Sequence, residues 1–147
     1  LKNGYIIKGE AVVKDQNGEI IAVHATYDPD SKSGSGSEAS LRKVKGTIHW
    51  VSQEQALDAE VRLYDRLFSE AAPDANKEID FLTFVNNSSL EVITAKVEPS
   101  LANTQVGKQV QFQRTGYFVV DPDTTENHLV FNRTVPLRDS WGKTTNN

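Results

Sequence analysis

At 147 residues and 37% hydrophobic content the chain suits one ordinary domain or two small barrels, since about 150 residues bury roughly two-thirds of the unfolded chain's surface. The absence of cysteine excludes a disulfide framework and every thiolate metal site, so a reducing, cytoplasmic setting is expected, and no apolar run approaches the roughly 20 residues of a membrane span. A formal charge of −4 argues against a protein that holds nucleic acid by bulk electrostatics, but not against one that reads unstacked bases with a few placed hydrogen bonds and stacking groups.

No methionine occurs, and Leu1 lies in an apolar run without a signal-peptide pattern, so a fragment of a longer translation product is expected. Residues 5–13 and 19–27 are strand-like and flank an Asn17-Gly18 pair, which predicts a β-hairpin with a type I′ turn. Residues 28–40 are rich in Gly and Ser without apolar anchors, and predict a mobile loop. Residues 43–51 alternate, with Val44, Ile48 and Trp50 on one face, and predict a strand. Ser52 with Gln55 three positions on predicts a short capped helical turn over 52–59. Val61, Leu63 and Leu67 fit a strand or a short helix by period alone.

Residues 71–76 read as a Pro-containing connector, and 77–85 as a helical turn before the Asn-Asn-Ser-Ser break. Short β-type runs follow at 90–97, 108–114, 116–120 and 127–137, a spacing typical of all-β barrels. The tail, 142–147, is expected to fray.

Little in the chain suggests catalysis. His24, His49 and His128 lie in separate segments without helical partners, which argues against a metal site, and His49 beside Trp50 reads as a structural histidine. No GxSxG elbow, Walker loop or GxGxxG occurs. Asp28 with Asp30 and Asp121 with Asp123 flank prolines and read as turn chemistry. Sequons at Asn86, Asn87 and Asn132 read as chance without a secretory route.

Gln111, Gln113 and Arg114 form the more useful group. In a strand the two glutamines share a face, and each amide both donates to and accepts from a base edge, while Arg114 adds a planar fork for phosphate or base. The same residues also suit the solvated face of a barrel strand. Arg42, Lys43 and Lys45 form a second basic cluster, suited to phosphate contacts or to a solvated edge. Arg133 and Arg138, with Asn132 and Asp139, read as internal pairs fixing the last strand, and Tyr64, Asp65 and Arg66 as packing and an ion pair.

Five segments, in order, carry a resemblance: KVKGTIHWVS from Lys43, AEVRLYDRLF from Ala59, VEPSL from Val97, QFQRTGYFVVD from Gln111 and FNRTVPLRDSW from Phe131. Together they resemble the C-terminal, anticodon-binding part of the glutaminyl-tRNA synthetase family, over nearly the whole chain. The resemblance implies an all-β fold of two small β-barrels of a ribosomal-protein type, with one or two short helices, and it favours a strand over residues 61–67. Residues 1–58 would be most of a distal anticodon-binding barrel and 59–141 the junction and returning strands of a proximal one.

It further implies a class I, ATP- and Mg-dependent parent whose HIGH-like and KMSKS-like motifs are not in this chain, so no cofactor is expected here. The expected partners are tRNA(Gln), through its anticodon loop, and the rest of the synthetase chain. Gln111 matches the family's glutamine for the middle anticodon base, Arg114 its neighbouring arginine, and Lys2 a frequent arginine near the first base. Glutamyl-type synthetases of the archaeal and eukaryotic branch share the barrel pair. A ribosomal-RNA-binding barrel protein and a barrel module binding protein or sugar are the rivals from other classes, and the first of these should be basic.

Overall fold

The computed structural model describes residues 1–137, and Arg138 and Asp139, like the tail expected to fray, lie outside that range. Two compact units divide between Trp50 and Val51, eight residues before the 58/59 boundary drawn from sequence, which falls inside a strand.

The first unit is a two-stranded antiparallel sheet of β1 (Ile7–Lys14) and β2 (Ile20–Tyr27). Its turn differs from the expected type I′: Gly18 alone is left-handed, at φ 85°, and Asn17 is not. Asp15 explains the change, because its Oδ1 accepts from the amides of Asn17 at 2.9 Å and Glu19 at 2.8 Å, holding a three-residue loop with a bulge. Val12, Ile20, Ile21 and Val23 of this sheet are more than half exposed.

Residues 28–40 are tied down by polar contacts that composition does not disclose. Ser31 is buried, its hydroxyl accepting from the Ile6 amide at 2.8 Å and donating to the Asp28 carbonyl at 2.6 Å. Pro29–Ser31 forms a 3-10 turn, and Ser37 caps a four-residue helix, α1 (Glu38–Leu41), by accepting from the Ser40 amide. Side-chain to backbone bonds here replace apolar anchors.

The strand expected over 43–51 is absent. Gly46 sits at φ +80°, which breaks the alternation, and the Lys2 amide donates to the Ile48 carbonyl at 2.8 Å without a regular ladder forming among the described residues. The short turn expected over 52–59 is confined to residues 52–56, where the Gln55 and Ala56 amides donate to the Ser52 carbonyl, because the next strand begins at Leu57.

The second unit is a five-stranded mixed sheet in the order β4-β3-β7-β6-β5, made of β3 (Leu57–Tyr64), β4 (Leu90–Val97), β5 (Gln109–Phe112), β6 (Gly116–Val120) and β7 (Leu129–Pro136). All pairs are antiparallel except β3 with β7. The helical turn expected over 77–85 is a 3-10 turn, Phe81–Phe84. The all-β class therefore stands, while among the described residues β4 and β5 remain free edges and neither sheet closes on itself.

One face of this sheet is the core. Ala59 and Val61 of β3, Val97 of β4, Phe118 and Val120 of β6, and Leu129 and Phe131 of β7 are buried, and Val110 and Phe112 of β5 pack against them. Phe112 lies 4.4 Å from Phe118 and 5.2 Å from Phe131, centroid to centroid. Alternation therefore sends the intervening residues outward.

Candidate nucleic-acid interface

The chemistry of β5 follows from that packing. In Gln109–Phe112 the two apolar residues face the core, so Gln109 and Gln111 stand exposed on the other face. Gln113 does not join them, contrary to the expectation that Gln111 and Gln113 share a strand face. It lies in the turn closed by the Thr115 amide on the Phe112 carbonyl at 2.9 Å. The strand ends there because Arg114 takes a left-handed conformation, φ 68°, rare for a residue with a Cβ. Gly116 then restarts the ladder where a Cβ would meet the Val135 carbonyl oxygen at 2.8 Å. Gln111 and Arg114 are thus both exposed at one end of the β5–β6 hairpin, with Tyr117 directly opposite Gln111.

In the first unit, Lys2 and Arg42 line one cleft of ≈ 280 Å³. Lys2 is held by its backbone, its carbonyl accepting from Trp50 Nε1 at 3.0 Å. Arg42 is already paired, with Nη2 2.7 Å from Asp28 Oδ2, so part of its fork is taken. Lys43 and Lys45 are exposed on the irregular segment that follows. The structure thus groups Lys2 with Arg42 in one unit and Gln111 with Arg114 in the other.

A polar hub on the outward face of the five-stranded sheet was not read from sequence. Arg62 Nε lies 2.7 Å from Glu60 Oε1, Nη2 2.7 Å from Asp123 Oδ2, and Nη1 3.3 Å from Asp121 Oδ1. His128 Nε2 approaches Glu60 Oε2 at 3.4 Å, and Asn132 Nδ2 donates to Asp121 Oδ2. Asn132 therefore serves Asp121, and it also takes a bond from the Tyr64 hydroxyl at 3.3 Å. The hydrogen bond to Glu60, then that to Asp123, raises the Arg62 pKa above its ordinary value. Asp121 is held below the usual carboxylate range, first by the Asp123 amide and then by Asn132. The period-2 spacing of Glu60, Arg62 and Tyr64 put them on one face, but their partners lie some 60 residues away in sequence, where no local signal points.

A cleft of ≈ 430 Å³ between the ends of β3 and β7 is lined by Arg66 and Arg133 but equally by Asp65 and Glu91, a mixture that favours no anion. Among the described residues no group of three or more His, Asp or Glu side chains is placed to hold a metal ion. No helix among them is long and apolar enough to cross a membrane.

The chain is 54% identical over 144 residues to a glutamine–tRNA ligase of Rhodopirellula baltica, covering 97% of this chain and 24% of that protein. It is 52% identical over 144 residues to that of Serratia proteamaculans, 97% of this chain and 25% of the relative. Against that of Vibrio parahaemolyticus it is 49% identical over 147 residues, 99% and 26%. The chain thus spans about a quarter of the length of the curated relatives it matches. Residues 47–121, from the end of the first unit to the start of the hub's acidic loop and including the whole β5–β6 hairpin, match the model of the anticodon-binding domain of the class I tRNA synthetases (E and Q), and the chain belongs to that family.

Proposed function

We propose that this chain is the anticodon-reading part of a cytoplasmic glutamine–tRNA ligase, which attaches glutamine to tRNA(Gln) at the expense of ATP. The observation that carries the reading is identity of about half the residues along 97% of the chain with proteins of that name. Gln111 reads the middle anticodon base with its amide, and Arg114 supplies a charged contact beside it. Lys2 lies near the first anticodon base, with Arg42, Lys43 and Lys45 on phosphates. In this reading residues 1–58 contribute to a distal barrel and 59–141 to a proximal one, in company with the remainder of the synthetase chain.

ATP and Mg do not fit the residues present. The sequence has no phosphate-cradling glycine loop, which supports a reading in which other parts of the longer protein hold them. A net charge of −4 suits recognition by placed contacts more than a basic ribosomal-RNA binder.

The test is aminoacylation by the full-length protein, with glutamine and glutamate each offered on tRNA(Gln) and tRNA(Glu) transcripts. Charging of tRNA(Gln) with glutamine is expected, and preferential charging with glutamate would transfer the reading to a glutamyl-type enzyme. The 147-residue chain alone is expected to catalyse no ATP–pyrophosphate exchange with any amino acid, and exchange above background would overturn the division of labour.

A further inference from the structure

An exposed row crosses three strands beside the proposed base-reading glutamine. Gln111 of β5 stands directly opposite Tyr117 of β6, and Tyr117 stands opposite Val135 of β7 on its other side. Directly opposed residues hold their Cβ atoms about 5 Å apart. Tyr117 is 48% exposed between the buried Gly116 and Phe118, and Val135 is 53% exposed. No other ring is seated on Tyr117 among the described residues.

The row is also locally built. A register shift between Tyr117 and Phe118 leaves Thr134 as the extra residue on β7, and the Thr134 hydroxyl donates to the Tyr117 carbonyl at 3.1 Å. Such irregularities re-aim side chains, and here the bulge falls at the one aromatic residue paired with Gln111. Tyr64, the other half-exposed tyrosine of this sheet face, is engaged through its hydroxyl with Asn132.

We infer that Tyr117 is the stacking platform for the base whose edge Gln111 reads, with Val135 as an apolar ledge beside it. An unstacked base presents a π-face that needs an aromatic or apolar partner and a polar edge that needs an amide, and the row supplies both at adjacent strand positions. A stack is tolerant of base identity, so Tyr117 contributes affinity for a splayed-out base while Gln111 contributes the choice among bases. The occupant is a single anticodon nucleotide, and the inference rests on the reading of Gln111 given under Proposed function.

The experiment uses the full-length protein and a tRNA(Gln) transcript carrying 5-iodouridine at the middle anticodon position, irradiated in the complex, with kcat/KM measured in parallel. The adduct is expected on the peptide containing Tyr117. Tyr117→Phe should keep adduct and activity, while Tyr117→Leu should lose the adduct and about tenfold in kcat/KM, the scale of one base–aromatic stack. The melting temperature of the RNA-free protein should be unchanged in both. The inference is overturned if Tyr117→Leu stays within about twofold of the parent, if the adduct maps elsewhere, or if Tyr117→Leu lowers the melting temperature, which would mark the ring as packing against another part of the protein. Should Tyr117→Leu be silent while Gln111→Ala still loses base discrimination, only the platform falls. If Gln111→Ala is silent as well, the reading of the hairpin falls with it.

Discussion

Replacing Gln111 by alanine separates recognition from stability, because of where β5 places it. The side chain is exposed, and no bond from it to another described side chain supports the hairpin, whereas its neighbours Val110 and Phe112 face the core. The cost to folding should therefore stay within about 0.5 kcal/mol, the range of an ordinary surface substitution. The cost to recognition is different in kind. A glutamine amide offers two donors and an acceptor, enough for a paired contact with the polar edge of one base. A bidentate base contact is worth about 1–3 kcal/mol of discrimination, or roughly 5- to 150-fold. The assay is aminoacylation efficiency of the full-length variant on the cognate tRNA and on one altered only at the middle anticodon base. The cognate should lose most of that factor and the altered tRNA little, so that the two converge. Equal losses on both would mean that Gln111 merely coats the sheet, and the assignment would be refuted.

Arg114→Ala should act the other way, lowering affinity for cognate and altered tRNA alike and reducing the salt dependence of binding by about one unit of slope, as measured by titration at several salt concentrations. Phe131→Ala removes a fully buried ring in contact with Phe112 and should destabilise by about 3–5 kcal/mol, read from the shift in urea midpoint. Asp121 has a folded pKa below its unfolded value, so the stability it contributes is present above about pH 3.9 and is lost as the pH falls through the lowered folded value. Asp121→Asn should therefore be less stable at pH 7 and show a shallower acid dependence below about pH 4, and parallel urea midpoints for variant and parent across that range would contradict the hub geometry.

Alternation and turn residues made much of the second unit legible from sequence alone. The strands at Leu90–Val97 and Gly116–Val120 coincide with the runs read from their pattern, because each is bounded by turn residues and supported by neighbours that satisfy its backbone. The hairpin of the first unit was equally plain, since Asn17-Gly18 between two β-branched runs allows few alternatives, although the Asp15 carboxylate decided which turn formed. The outward face of Gln111 follows from its two inward apolar neighbours, Val110 and Phe112, once the strand is placed. Tertiary structure decided the rest. Residues 43–51 alternate like a strand but form no strand among the described residues, because a period of two specifies a face only where a ladder forms and Gly46 interrupts this one. The parallel pairing of β3 with β7 joins segments far apart in sequence, and from it come the Arg62–Asp121 hub and the burial of Phe131. The row of Gln111, Tyr117 and Val135 is of the same kind: its members belong to three strands, and only strand register, shifted by one bulge, sets them side by side.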